Sequence, residues 1–144
     1  MRKPLAAATA AATVILIAGC SSSSSAGTHY TSAQAIADKL AAAGFTVSAL
    51  HADTGTAISS MGGTVYNLAI SQKTEKAAPD SSGINMFPNH ETLASWTATS
   101  KSFGGVAVTG DTWAVSLPSD GAARTASLTM APRIATLLGG TVQK

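Results

Sequence analysis

Charge is scarce in this sequence. Only 11% of its 144 residues are charged, against roughly 25% in ordinary soluble domains. Hydrophobic residues make up 45%, so this is not the low-hydrophobicity, high-charge composition of a disordered chain. Nine Lys and Arg stand against seven Asp and Glu, with no basic run and no interleaving of basic and aromatic residues. That excludes the electrostatic footprint of a nucleic-acid binder. Cysteine occurs once, at Cys20, which excludes an intramolecular disulfide. The chain also lacks an uninterrupted apolar run of the roughly 20 residues that a membrane span needs. Its length leaves room for one domain and excludes a cofactor domain joined to a substrate domain.

What is present is concentrated first at the N-terminus. Arg2 and Lys3 are followed by an uncharged stretch, Leu5 to Ala18, of Leu, Ala, Thr, Val and Ile. Ala18 and Gly19 are small and precede Cys20. A positive start, a short apolar stretch and a small-residue end form the three-part layout of a secretory signal. Without Arg2 and Lys3 the remaining chain carries seven basic and seven acidic residues and is formally neutral.

The stretch Leu16-Ile17-Ala18-Gly19-Cys20 resembles the lipobox of bacterial lipoproteins. The resemblance implies that residues 1–19 are a signal peptide, that the Cys20 thiol receives a diacylglyceryl group, and that cleavage before Cys20 leaves a lipidated N-terminus. The expected partner of the chain is therefore the membrane, reached through the lipid on Cys20, and the expected location is its extracytoplasmic face. A single acyl chain binds only marginally, at about 0.8 kcal/mol per buried methylene, so stable anchoring takes two or three chains. Five serines, Ala26 and Gly27 follow. This composition reads as a flexible tether, residues 20–27, with a reach of roughly 15 Å.

The remaining residues, 28–144, are expected to form one α+β domain. Thr31 followed by Gln34 has capping-box spacing, and Ile36 and Leu40 supply the apolar stripe of a helix from about Ser32 to Ala43, stopped by Gly44. Alternation from Phe45 predicts a strand that fades near His51, and Asp53 to Gly63 reads as a loop. A second strand is expected over Val65–Ile70, an exposed loop over Lys73–Gly83, and a short strand over Gly83–Phe87. Asn89 is placed to cap a helix carrying Leu93, Trp96, Ser100 and Phe103 near one face. Val106–Val108 and Thr112–Leu117, joined through Gly110, read as a hairpin with Trp113, Val115 and Leu117 on its buried face. Ser127–Leu138 has helical spacing, with Pro132 either opening the helix or kinking it. The strands come in runs between helices, which favours a single antiparallel sheet of about four to five strands with helices packed on one face. The layout resembles small lipoproteins of the actinobacterial type on the stretches Ala35–Gly44, Gly83–Phe87 and Gly110–Leu117. That resemblance implies location and shape, and brings no catalytic residue with it.

Chemistry-bearing patterns are few. His51 and Asp53, two apart on a strand, share a face and are a conceivable His–carboxylate pair. A solvated strand end accounts for them more simply, and there is no Gly-x-Ser-x-Gly elbow. His90-Glu91 lacks the second His of a zinc helix, because position 94 is Ala94; Glu91 instead suits a helix N-terminus. His29, His51, His90 and the methionines Met61, Met86 and Met130 are the residue types of a copper site, although Met86 and Met130 lie in apolar segments that suit a core. Trp96 and Trp113 read as core residues rather than as a binding groove. No catalytic, cofactor or metal residue is assigned, and no cofactor is expected. The leading expectation is a non-enzymatic lipoprotein that binds a protein or small molecule at the membrane surface. The alternatives are an envelope carrier of a small apolar or metal ligand, a prophage-type superinfection-exclusion lipoprotein, and a hydrolase with an unmarked serine.

Overall fold

The computed structural model describes residues 27–144. The expected signal peptide, Cys20 and all but the last residue of the expected tether lie outside the described residues.

The first helix, α1 (Ala33–Ala42), is capped by Ser32, whose Oγ accepts from the Ala35 amide at 3.2 Å. Gln34 does not close a capping box with Thr31; its Nε2 donates to Asp38 Oδ1 one turn on. The stripe of Ile36 and Leu40 is fully buried, and Gly44, at φ 91°, turns the chain out of the helix.

The strand expected from Phe45 is two strands. β1 (Phe45–Val47) pairs with β4 (Ile70–Gln72), and β2 (His51–Asp53) pairs with β3 (Thr64–Leu68), both antiparallel. Phe45 faces Gln72 and Val47 faces Ile70, but His51 faces Asn67, so the register slips by one residue between the two ladders. Residues 48–50 on one side are opposed by 68 and 69 on the other, the extra-residue geometry of a β-bulge. Ser48 bridges the break: its amide donates to the Ala69 carbonyl and its Oγ accepts from the Ala69 amide. The bulge separates a two-stranded sheet, β1–β4, from a six-stranded one. The stretch expected as a loop after Asp53 contains a single-turn helix, α2 (Ala57–Ser60), capped by Thr56.

β5 (Ser82–Met86) leads through Asn89, whose Oδ1 accepts from the Thr92 amide at 2.9 Å, into α3 (His90–Ser102). The hairpin is present as β6 (Val106–Thr109) and β7 (Trp113–Leu117). The last helix, α4 (Gly121–Leu138), begins well before Ser127 and runs through Pro132, which sits inside it on the exposed side. It ends at Gly139, in the left-handed conformation. A final strand, β8 (Thr141–Gln143), was not expected; it adds to β6 at the sheet edge. The large sheet runs β2-β3-β5-β7-β6-β8, every neighbour antiparallel.

The α+β class therefore holds, with one strand more in the main sheet than the upper expectation and a second small sheet beside it. The helices also cover both faces. α1 and α4 pack over Leu68, Ile84, Val108, Trp113 and Val115. On the reverse face, Val65 and Ala114 pack with Ile58 of α2, Leu93 of α3 and Phe87. Single-face packing fails because Ala114, on the side of β7 expected to be solvated, is fully buried. Trp113, Val115 and Leu117 are buried as their alternation requires. Phe103 is the exception on α3: it lies just past the last turn as the C-cap and is 85% exposed.

Candidate functional site

Strand register decides what lies on the reverse face. One row across the sheet reads Asp53, Val65, Asn85, Ala114, Thr109, and the next reads His51, Asn67, Gly83, Ser116, Ala107. Side chains in a row share a face because partnered residues do. At the β7 end Ala114 packs under Leu93 of α3, while Ser116 stays on the side of the cleft. On β3 and β5 the rows carry Asn67 and Asn85 beside Val65 and Gly83, the polar face that an antiparallel sheet commonly turns away from its main core.

Between α2 and α3 this polar face is left open as a cleft of about 390 Å³, with Asp53, Asn67, Asn85, Ser116, Asp80 and Trp96 among its walls. Gly83 keeps the floor low: a Cβ there would stand 2.6 Å from Ser116 Oγ. Ser116 Oγ donates to the Gly83 carbonyl at 3.3 Å and takes a long bond, 3.5 Å, from Asn85 Nδ2. Asn85 is 4% exposed, yet among the described residues no protein donor reaches its Oδ1. Asp53 is held by the Gly55 amide at 3.0 Å and by Asn67 Nδ2 at 3.2 Å. A carboxylate fixed by two donors in this way is a rigid acceptor. Trp96 is half-buried on α3, its ring 5.5 Å from that of Phe87. It packs against the reverse-face core beside Phe87 and Leu93, and its other side lines the cleft.

The sequence singled out His51 and Asp53, and the structure does not join them. They do share a face, but His51 Nδ1 lies 2.8 Å from Asp80 Oδ1, while Asp53 accepts from Asn67 Nδ2. Asp80 reaches His51 from a left-handed backbone position, φ 51°, which Asp tolerates better than most residues. Among the described residues no serine hydroxyl is hydrogen-bonded to His51. The other two histidines converge elsewhere: His29 Nδ1 is 2.6 Å from one oxygen of Asp111 and His90 Nε2 is 3.3 Å from the other. The β6–β7 turn thus ties the start of the domain to the start of α3. Met130 is in the core and Met61 is exposed. Among the described residues no group of three or more His, Cys, Asp and Glu side chains is arranged to hold a metal ion, and no helix is long and apolar enough to cross a membrane. Glu91 sits in the first turn of α3, as its reading as a helix-terminus residue requires.

Sequence reasoning missed Asn67, Asn85 and Ser116. Each is an isolated polar residue in a strand, and only the pairing register places them side by side. Comparison with protein-family models, curated proteins and solved structures finds no match to this chain.

Proposed function

We propose that this protein is a lipoprotein, held at the extracytoplasmic face of the membrane through a lipid on Cys20, whose folded part binds a polar ligand without transforming it. The anchor rests on the charged-then-apolar leader that ends in Leu16–Cys20. The binding role is carried by one observation: Asn67, Asn85 and Ser116 line an open cleft on the central strands of the sheet. Asn67 and Ser116 are half-buried, and all three side chains keep hydrogen-bonding capacity beyond the bonds they make within the protein.

The chemistry of the walls narrows the ligand. Asp53 and Asp80 disfavour an anion. Amides, carboxylates and a hydroxyl offer both donors and acceptors, and the Trp96 indole adds a flat apolar wall. A neutral, polyhydroxylated molecule, a saccharide unit, satisfies all three. Binding is expected to perturb the fluorescence of Trp96 and leave the buried Trp113 silent. Titration with short oligosaccharides prepared from cell-envelope polymers tests this, with Asn85→Leu as the comparison. A saturable change that Asn85→Leu abolishes supports the reading; no change with any neutral saccharide, or an equal change in the variant, counts against it.

A further inference from the structure

The chain enters the folded part at one end of α4. The Thr28 amide donates to the Gly139 carbonyl at 3.1 Å, just past the last turn of the helix, and Tyr30 Oη donates to the Leu138 carbonyl at 3.4 Å. Gly27 lies so close to Gly110 and Gly139 that a Cβ on it would stand 2.6 Å from the one and 2.8 Å from the other. From Gly27 back to Cys20 the chain spans at most about 25 Å. α4 is itself about 27 Å long. A bilayer that holds a lipid on Cys20 therefore lies no farther from Gly27 than about one length of this helix.

Charge decides which side of the domain turns toward such a surface. α4 covers one face of the sheet, and its outer flank of Thr125, Leu128, Thr129, Pro132, Arg133 and Thr136 is exposed. Its 18 residues include Arg124 and Arg133 and no acidic residue. Arg133 is fixed by Gln72, to whose Oε1 it donates at 2.6 Å, and by the Phe45 ring, 5.2 Å away. Around α4, Lys39, Lys73 and Lys76 meet Asp38, Glu75 and Asp120, which leaves the two arginines in excess. The opposite face has the other sign: Asp53 and Asp80 line the cleft and Glu91 opens α3, against Lys101 in its last turn. Leu128, 37% exposed, is the one exposed large apolar side chain on α4. A helix flank with arginines, an outward leucine and no carboxylate suits the plane of an anionic membrane surface.

We infer that the outer flank of α4 rests on the headgroups of an anionic bilayer and holds the polar cleft facing away from it. The inference rests on the anchor proposed at Cys20 and does not depend on the cleft's ligand. Each basic side chain at an anionic surface is worth about fivefold in population, so two arginines favour this orientation by roughly thirtyfold. In the lipid-bearing chain Cys20 is a thioether and no other cysteine is present, so Leu128→Cys and Ser95→Cys each add one site for a fluorophore. Position 128 is on the α4 flank and position 95 is exposed on α3, on the other side of the sheet. Both full-length proteins are placed in nanodiscs of phosphatidylcholine and phosphatidylglycerol in equal parts, in which some headgroups carry a nitroxide quencher. Quenching should be strong at 128 and weak at 95. Thr129→Glu with Thr136→Glu, at exposed positions whose hydroxyls bond only within the helix, should erase the difference. Discs of phosphatidylcholine alone should erase it too, which tests the charge without the glutamates. Equal quenching at the two positions, as in a domain standing on its end, would overturn the inference. So would stronger quenching at 95, or a difference that both the glutamates and the neutral lipid leave unchanged. Intact mass keeps this apart from failure of the anchor: protein lacking the diacylglyceryl mass would defeat the anchor and the inference with it, whereas lipid-bearing protein quenched equally at both positions defeats the orientation alone.

Discussion

Replacing Trp113 by Ala should cost a large share of the stability of the folded part. The indole is completely buried. Its Nε1 donates to the Thr28 carbonyl at 2.7 Å, and its ring meets that of Tyr30 edge-on at 5.5 Å. The surroundings are built to its shape: a Cβ on Gly110 would stand 2.1 Å from the ring and one on Gly140 2.8 Å. Truncating such a side chain removes its transfer free energy and leaves a cavity, together about 3–5 kcal/mol. The orphaned Thr28 carbonyl adds roughly 1 kcal/mol if water does not reach it. Against a typical total of about 5–15 kcal/mol, the variant is marginal. At about 4 °C per kcal/mol for a domain of this size, the melting temperature should fall by about 16–24 °C. Trp113→Phe keeps most of the packing but loses the hydrogen bond, and should fall by less than half as much. Thermal denaturation of residues 28–144, followed by circular dichroism, measures both. That chain contains no cysteine, so its transition should be cooperative and indifferent to reductant. A shift within error for Trp113→Ala would refute the assignment of this residue to the core.

Two further substitutions test local rules in the same assay. Pro132 occupies an exposed position inside α4, where it can donate no helical hydrogen bond; Pro132→Ala should raise the melting temperature by the equivalent of about 1–2 kcal/mol, and a decrease would show that the proline serves the helix. Asn89→Ala removes the oxygen that caps α3 through the Thr92 amide, and should destabilise by about 1 kcal/mol; no loss would mean that His90 and Asp111 hold this turn without the cap.

The parts of the fold that were legible are those fixed by neighbours in sequence. α1 follows from the stripe of Ile36 and Leu40 closed by Gly44, and α3 from Asn89. The β6–β7 hairpin follows from two alternating runs flanking Gly110. What was illegible depends on non-local pairing. A single extra residue between Ser48 and Leu50 divides one apparent strand between two sheets, and nothing in Phe45–Asp53 marks it. β8 is three residues long and forms only because β6 offers an open edge. α4 begins at Gly121 because the Ala-rich first turns, though weakly amphipathic, are good helix formers. Phe103 satisfied the helical period but falls beyond the helix, where the period no longer governs. The polar cleft was illegible for the same reason as the bulge: Asn67, Asn85 and Ser116 come from three strands, and their adjacency exists only in the register. His51 and Asp53 were legible as neighbours, yet each takes a partner from another segment, Asp80 and Asn67.

The anchor at Cys20 is the claim on which the proposed location of the protein rests, and an intact-mass measurement of the protein extracted from membranes tests it most directly. The account predicts a chain that begins at Cys20 and carries the mass of a diacylglyceryl group, with or without a further acyl chain on its amine. In Cys20→Ala cells that species should be absent and the protein should be either unprocessed or released from the membrane. A wild-type mass matching cleavage elsewhere with a free thiol would contradict the account, as would a Cys20→Ala protein retained in the membrane at its unaltered mature mass.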